Sequence, residues 1–247
     1  MPARRDRAPG ITIVELMVTI GIIAILVGLL VPALRGARVR ASEVGALSDL
    51  RQIGVSIQLY TQDSGGFFPF HTPGETYLIG PPDDPIALVN TSQNPWDMSY
   101  YWPTHMHRVA PWEDHYQTWV GRGRSHGTPP WFDEHTESWL QPGYRMSNAF
   151  IATPGAWGGS GPAQIRPIAA GRVRHPSAKV LHFDSARAYL PVPTRRRTVH
   201  IRGLLFADGS ARGELDEDAV SPVPNELRDR EPEIYHDTPG GIHGRDF

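Results

Sequence analysis

The chain has 247 residues, enough for one substantial domain together with an anchor or stalk. It contains no cysteine, which excludes disulfides, iron–sulfur clusters and thiol catalysis. Its formal charge of −2 supplies no strong pull toward nucleic acid or an anionic membrane, and 25 glycines with 24 prolines, about a fifth of the chain, favour a loop-rich fold over a helical bundle.

In chain order, residues 1–10 form a short basic leader, with Arg4, Arg5 and Arg7 against Asp6. Residues 11–34 are almost wholly apolar. As a helix, 24 residues at about 1.5 Å each cross a hydrocarbon core of about 30 Å. Basic residues precede the span, so its N-terminal flank is expected in the cytoplasm and everything from about residue 35 outside it. Residues 35–64 continue the helix. Val44, Leu47, Leu50, Ile53, Ile57 and Tyr60 recur at spacings of three or four and mark one apolar face, and Gly65-Gly66 is the expected stop. The pattern predicts a single helix of about fifty residues, lipid-soluble in its first half and amphipathic in its second.

Two residues interrupt the apolar run. Glu15 costs about 2.5–3.5 kcal/mol at the centre of a membrane helix and less near its end, where it stands here. A cut after Gly10 would free the amine of Ile11, and an identical subunit displaced along a helical assembly could bring that amine to Glu15. The alternative is a polar residue tolerated at the membrane edge. Pro32 removes one helical hydrogen bond and crowds the Gly28 carbonyl, which makes Gly28–Pro32 a place for a bend. A competing cut by an ordinary signal peptidase at Val31-Pro32-Ala33 would release a soluble domain beginning at Leu34. The proline between the small residues and the apolar face continuing past them argue against it.

Gly10, Ile11, Glu15 and Pro32 together resemble the class III signal of type IV pilins, type II secretion pseudopilins and related prepilin-type proteins. In that family a basic leader ends in glycine, and the next residue becomes the mature N-terminus. A glutamate stands at mature position five and a proline commonly at twenty-two. Phenylalanine is usual where this chain has Ile11. The resemblance implies cleavage between Gly10 and Ile11 by a prepilin peptidase, N-methylation of Ile11, and assembly with other pilin or pseudopilin subunits on an inner-membrane platform. Loss of the leader would remove a net charge of +2 and leave −4.

From residue 65 to 247 an extracytoplasmic globular domain is expected. The runs Lys179–Asp184 and Gly203–Ala211 read as strands, the second entering an Asp208-Gly209 turn. His200 ahead of Asp208-Gly209, Tyr144–Asn148 and the tail Gly240–Phe247 resemble prepilin-type proteins with large C-terminal domains, with a shorter His-to-Asp-Gly spacing here. The fold this implies is α+β and pilin-like, with the long N-terminal helix packed on an antiparallel sheet that carries a loop-rich insertion at about 90–140.

Within that insertion lie six of the seven tryptophans (Trp96, Trp102, Trp112, Trp119, Trp131, Trp139) and five of the eleven histidines (His105, His107, His115, His126, His135). Three readings stay open. The aromatics fill an irregular core; or some, with Trp102, His105, His107 and Trp112 as candidates, stack on a sugar or other flat ligand, as in a membrane-anchored adhesin; or His105-x-His107 helps to hold a metal. Calcium is a second candidate ion, with oxygens at Asp208, Asp216, Glu217 and Asp218, against the simpler reading of a solvated acidic turn. The chain has no Gly-x-Ser-x-Gly elbow, no His-Glu-x-x-His and no phosphate-binding Gly-rich loop, and an enzymatic function is not expected.

Overall fold

A computed structural model describes residues 12–70, 76–79, 87–90, 96, 98–106, 109–110, 115, 118–119, 132–133, 138–139, 143–157, 164–184, 201–225, 227 and 230–247. Its first element, α1, is one helix of 51 residues, Ile13–Asp63, which passes through Pro32 without interruption. Two glycines follow its end at φ +66° and +91°, left-handed values that suit glycine and end the helix where expected. The chain divides into two compact units, residues 1–41 and 42–247.

In the first unit every described side chain of α1 is exposed, Ile13 at 78 % and Leu29 at 71 % among them. This is a helix long and apolar enough to cross a membrane.

The second unit begins with α1 from Ser42 onward, and here the helix has a buried face. Ala46, Leu50, Ile53 and Ile57 follow the 4-3-4 spacing of one stripe, with Leu47 and Tyr60 partly buried at its edges. Val44 departs from the expectation. It is 66 % exposed because two residues, about 200° of helical rotation, separate it from Ala46 on the buried stripe.

Two short hairpins, β1 (Thr76–Ile79) with β2 (Ala87–Asn90) and β3 (Phe132–Asp133) with β4 (Ser138–Trp139), stand apart from the main sheet. Helix α2 (Met98–Met106) lies between them in sequence. The main sheet is antiparallel, in the order β5 (Tyr144–Met146), β6 (Val180–Asp184), β7 (Ile201–Phe206), β8 (Ala211–Leu215). Both expected strands are present as β6 and β7, and Gly209 at φ +85° makes the turn into β8. The chain is therefore α+β.

All five residues of β6 are buried, since both faces of the sheet are covered. On one face Tyr144, Met146, Leu181 and Leu205 join the α1 stripe and α2 in the larger core. On the other, Val180, Phe183, Leu204 and Phe206 pack with Tyr235 and Phe247 of the C-terminal segment. A bulge within β6 leaves Leu181 as the extra residue between the pairs Val180–Phe206 and His182–Leu205.

Helix and sheet approach closely over small residues. A Cβ on Gly54 would stand 2.9 Å from Leu205 Cδ1, and one on Gly203 would stand 3.1 Å from Leu50 Cδ1. Gly54→Val is therefore expected to destabilise the domain by about 1–3 kcal/mol through overpacking. The measurement is a lowered urea midpoint at unchanged slope, and an unaltered midpoint would show that the seam has slack.

Candidate functional site

The N-terminal end of α1 carries the only acidic side chain of the apolar half. Thr12 and Glu15 form a reciprocal cap. The Thr12 N–H and hydroxyl both donate to Glu15 Oε2 (2.9 Å each), and the Glu15 N–H donates to Thr12 Oγ1 (3.2 Å). This is the Thr-x-x-Glu capping box. Its signal stands in the sequence as Thr12-Ile13-Val14-Glu15, so Glu15 has a partner within its own chain. Both bonds fall on Oε2, so the cap orients the carboxylate while using one of its two oxygens. Beyond Glu15, apart from Thr19, whose hydroxyl donates to the Glu15 carbonyl (2.7 Å), the helix presents apolar side chains as far as Leu34, with Pro32 among them. Gly10 and Ile11 lie outside the described residues.

Trp96, Trp102 and Trp119, the tryptophans of this region whose side chains are described, do not form a ligand platform. Trp102 on α2 is wholly buried, and its indole N–H donates to the Tyr144 carbonyl (2.9 Å). It meets Trp119 edge-on at 5.8 Å, and Trp119 is also wholly buried. Trp96 is buried as well, with its N–H on the Leu227 carbonyl (3.1 Å). His105 is buried and rests edge-on against Tyr60 of α1 at 6.3 Å. The candidate stacking residues Trp102 and His105 are thus core residues; the single polar atom of the Trp102 indole is satisfied by one internal carbonyl, and the His105 ring packs against Tyr60. His107 and Trp112 lie outside the described residues.

The carboxylates considered for calcium are not gathered. Asp208 Oδ1 accepts from the Ser210 N–H (2.9 Å) and hydroxyl (2.6 Å) and shapes the β7–β8 turn. Asp216 stands past the other end of β8 and is held by Arg202, whose Nε and Nη2 reach its two oxygens at 2.8 and 2.5 Å. Tyr235 completes the group, donating its hydroxyl to Asp216 Oδ1 (3.0 Å). Burial, then the charge of Asp216, push that hydroxyl above its ordinary range and keep it a donor. Asp218 is exposed in the turn that follows. Among the described residues no three histidine or acidic side chains converge on one point.

Two arrangements were not anticipated. Lys179, the single lysine of the chain, is fully buried with Asp246 and Thr238. His182 is fully buried against the edge of Trp102 at 4.6 Å, and neither ring nitrogen has a hydrogen-bond partner among the described residues. Despite sharing a strand with Asp184, His182 makes no acid–base pair with it. His200 lies outside the described residues.

Compared with protein-family models, with curated proteins and with solved structures, the chain matches none. The functional reading therefore rests on the residues and their geometry.

Proposed function

We propose that this chain is a pilin-like subunit of a type IV pilus or type II secretion filament. In this reading prepilin peptidase cuts the precursor between Gly10 and Ile11, and Ile11 is then N-methylated. The subunit leaves the inner membrane through the assembly platform, its globular domain outside the cytoplasm. The observation that carries the reading is the first half of α1: apolar, exposed on all sides, with one carboxylate held in place at its very start. Such a surface is satisfied in lipid, and equally satisfied among copies of itself, so transfer from one to the other needs little hydrophobic work. Glu15 then supplies the specificity, because an amine and a carboxylate attract strongly where water is excluded. The buried Trp102 and Trp119 weigh against a carbohydrate-binding reading.

The test has two parts. Intact mass and N-terminal sequence of the protein from native membranes should show a chain beginning at methylated Ile11. Glu15→Ala should be processed normally while its filament yield drops by about tenfold or more, the change that about 1.4 kcal/mol makes in an equilibrium. A chain beginning at Leu34, or normal filaments from Glu15→Ala, would overturn the reading.

A further inference from the structure

Charge is unevenly placed on the unit formed by residues 42–247. Arg172 and Arg174 are exposed, and among the described residues neither has a carboxylate partner. The Asp246 N–H donates to the Ala178 carbonyl (2.8 Å), which brings the C-terminal segment back beside the stretch that carries these arginines. Partial burial, then the charges of Arg174 and Arg172, hold the His243 imidazole below its ordinary range, so the three basic groups share one locality. Arg245, also exposed, follows two residues later.

This basic locality sits at the turn end of the β7–β8 hairpin. The Asp208 N–H donates to the Pro176 carbonyl (3.1 Å), and Arg212 Nη2 donates to the Ser177 carbonyl (3.2 Å). The opposite end of the hairpin is acidic. There β8 runs into Asp216–Asp218, where Asp216 is taken by Arg202 but Glu217 and Asp218 are exposed and have no partner among the described residues. Four strand steps separate the two ends, about 14 Å at roughly 3.4 Å per residue.

We propose that the basic end of one copy docks on the acidic turn of the next, Arg172 and Arg174 facing Glu217 and Asp218 of the neighbouring copy. The occupant is a second copy because the complementary charges lie on this same chain, at the far end of the same hairpin. A contact between two different patches of one chain is heterologous and repeats indefinitely unless a ring closes, which is the symmetry a filament requires. Arginine suits the task, since its planar fork matches a carboxylate with two parallel hydrogen bonds. Exposed pairs of this kind fix register and partner choice more than affinity, and they weaken as salt rises. The inference rests on the filament reading and adds the register of the globular domains to it.

The absence of natural cysteine makes the test direct. Gly171→Cys and Ile201→Cys, introduced together beside the two patches, leave every charge in place; Ile201 is exposed and pairs with Leu215, the residue before the acidic turn, and nothing stands within 4 Å of a Cβ at Gly171. A short bismaleimide added to native membranes should join the double variant into a ladder longer than dimers and join neither single variant. Adding Arg172→Glu/Arg174→Glu should abolish the ladder, and adding Glu217→Arg/Asp218→Arg to that same chain should restore it. Filaments that form without a ladder would overturn this contact and leave the filament reading standing. A ladder without filaments would support the contact and overturn the filament reading, and neither product would overturn both. A ladder unmoved by charge reversal, with loss only of the ability to retain a labelled DNA duplex, would assign the basic end to nucleic acid and overturn the proposal.

Discussion

Asp246→Ala is expected to destabilise the domain by about 3–5 kcal/mol, the range for a buried ion pair that loses one member. Asp246 Oδ2 accepts from the Val180 N–H (2.7 Å) and lies 3.2 Å from Lys179 Nζ, while its Oδ1 receives the Thr238 hydroxyl. The Lys179 ammonium in turn donates to Thr238 Oγ1 (2.6 Å). Burial pushes the Lys179 pKa down, and the charge and hydrogen bond of Asp246 oppose that push. Alanine would remove the opposing charge, an acceptor for a backbone N–H of β6 and the partner of Thr238 at one stroke. Because the same carboxylate ties the C-terminal segment to the first residue of β6, the second core would loosen with it. Lys179→Met/Asp246→Leu removes both charges and is expected to be more stable than Asp246→Ala, since apolar replacement of a whole buried pair is often neutral. Urea unfolding of the three proteins decides the matter. Equal midpoints for wild type and Asp246→Ala would mean that the pair contributes nothing.

The second large effect is a dependence of stability on pH set by His182. Burial in an apolar site pushes its imidazole from 6.5 down to about 3. The surroundings explain why nothing opposes this: β5 offers Met146, β7 offers Leu205 and α2 offers Trp102. His105, also on α2, packs against Tyr60 of α1. Above pH 6.5 the ring is neutral whether the chain is folded or not, and the full stability is present. Between 6.5 and about 3 the unfolded chain binds a proton that the folded chain refuses, so stability falls by about 1.4 kcal/mol for each unit of pH lost. Below about 3 both states are protonated and this contribution levels off. His182→Leu removes the titrating group together with two buried nitrogens that lack partners among the described residues. It should match or exceed the wild type at pH 7, since an unsatisfied buried polar atom carries a cost. Its midpoint should fall less steeply on acidification, other groups being common to both proteins. Parallel curves from pH 7 to pH 4 would refute the assignment.

Both predictions concern residues that sequence reasoning passed over or weighed wrongly, and the reason is the same in each case. Lys179 and Asp246 are 67 residues apart, and a lone lysine ahead of a strand reads as a solvated charge until a partner is known. His182 and Asp184 stand two residues apart on one strand, where simple alternation would give them a common face. The bulge at Leu181 and the arrival of Trp102 from α2 decided the real surroundings of His182. The tryptophans were legible as a cluster in sequence, but burial against α1 and β5 depends on contacts that no spacing encodes. Local signals fared better. The helix, its end at Gly65-Gly66, strands β6 and β7, the Asp208-Gly209 turn and the Thr12–Glu15 cap are all legible in the sequence.

By itself the sequence determined what depends on neighbours within a few residues. A helix is built from bonds four residues apart and a turn from one glycine's freedom, and the apolar run that could cross a membrane needs no other part of the chain to define it. The tertiary structure alone decided which polar groups leave water. Lys179, His182, Asp246 and the indole of Trp102 are buried because the sheet is covered on both faces, by α1 and α2 on one and by the C-terminal segment on the other. Burial of a polar group is a property of everything packed around it, and its energetic consequence follows from whether those neighbours supply a partner.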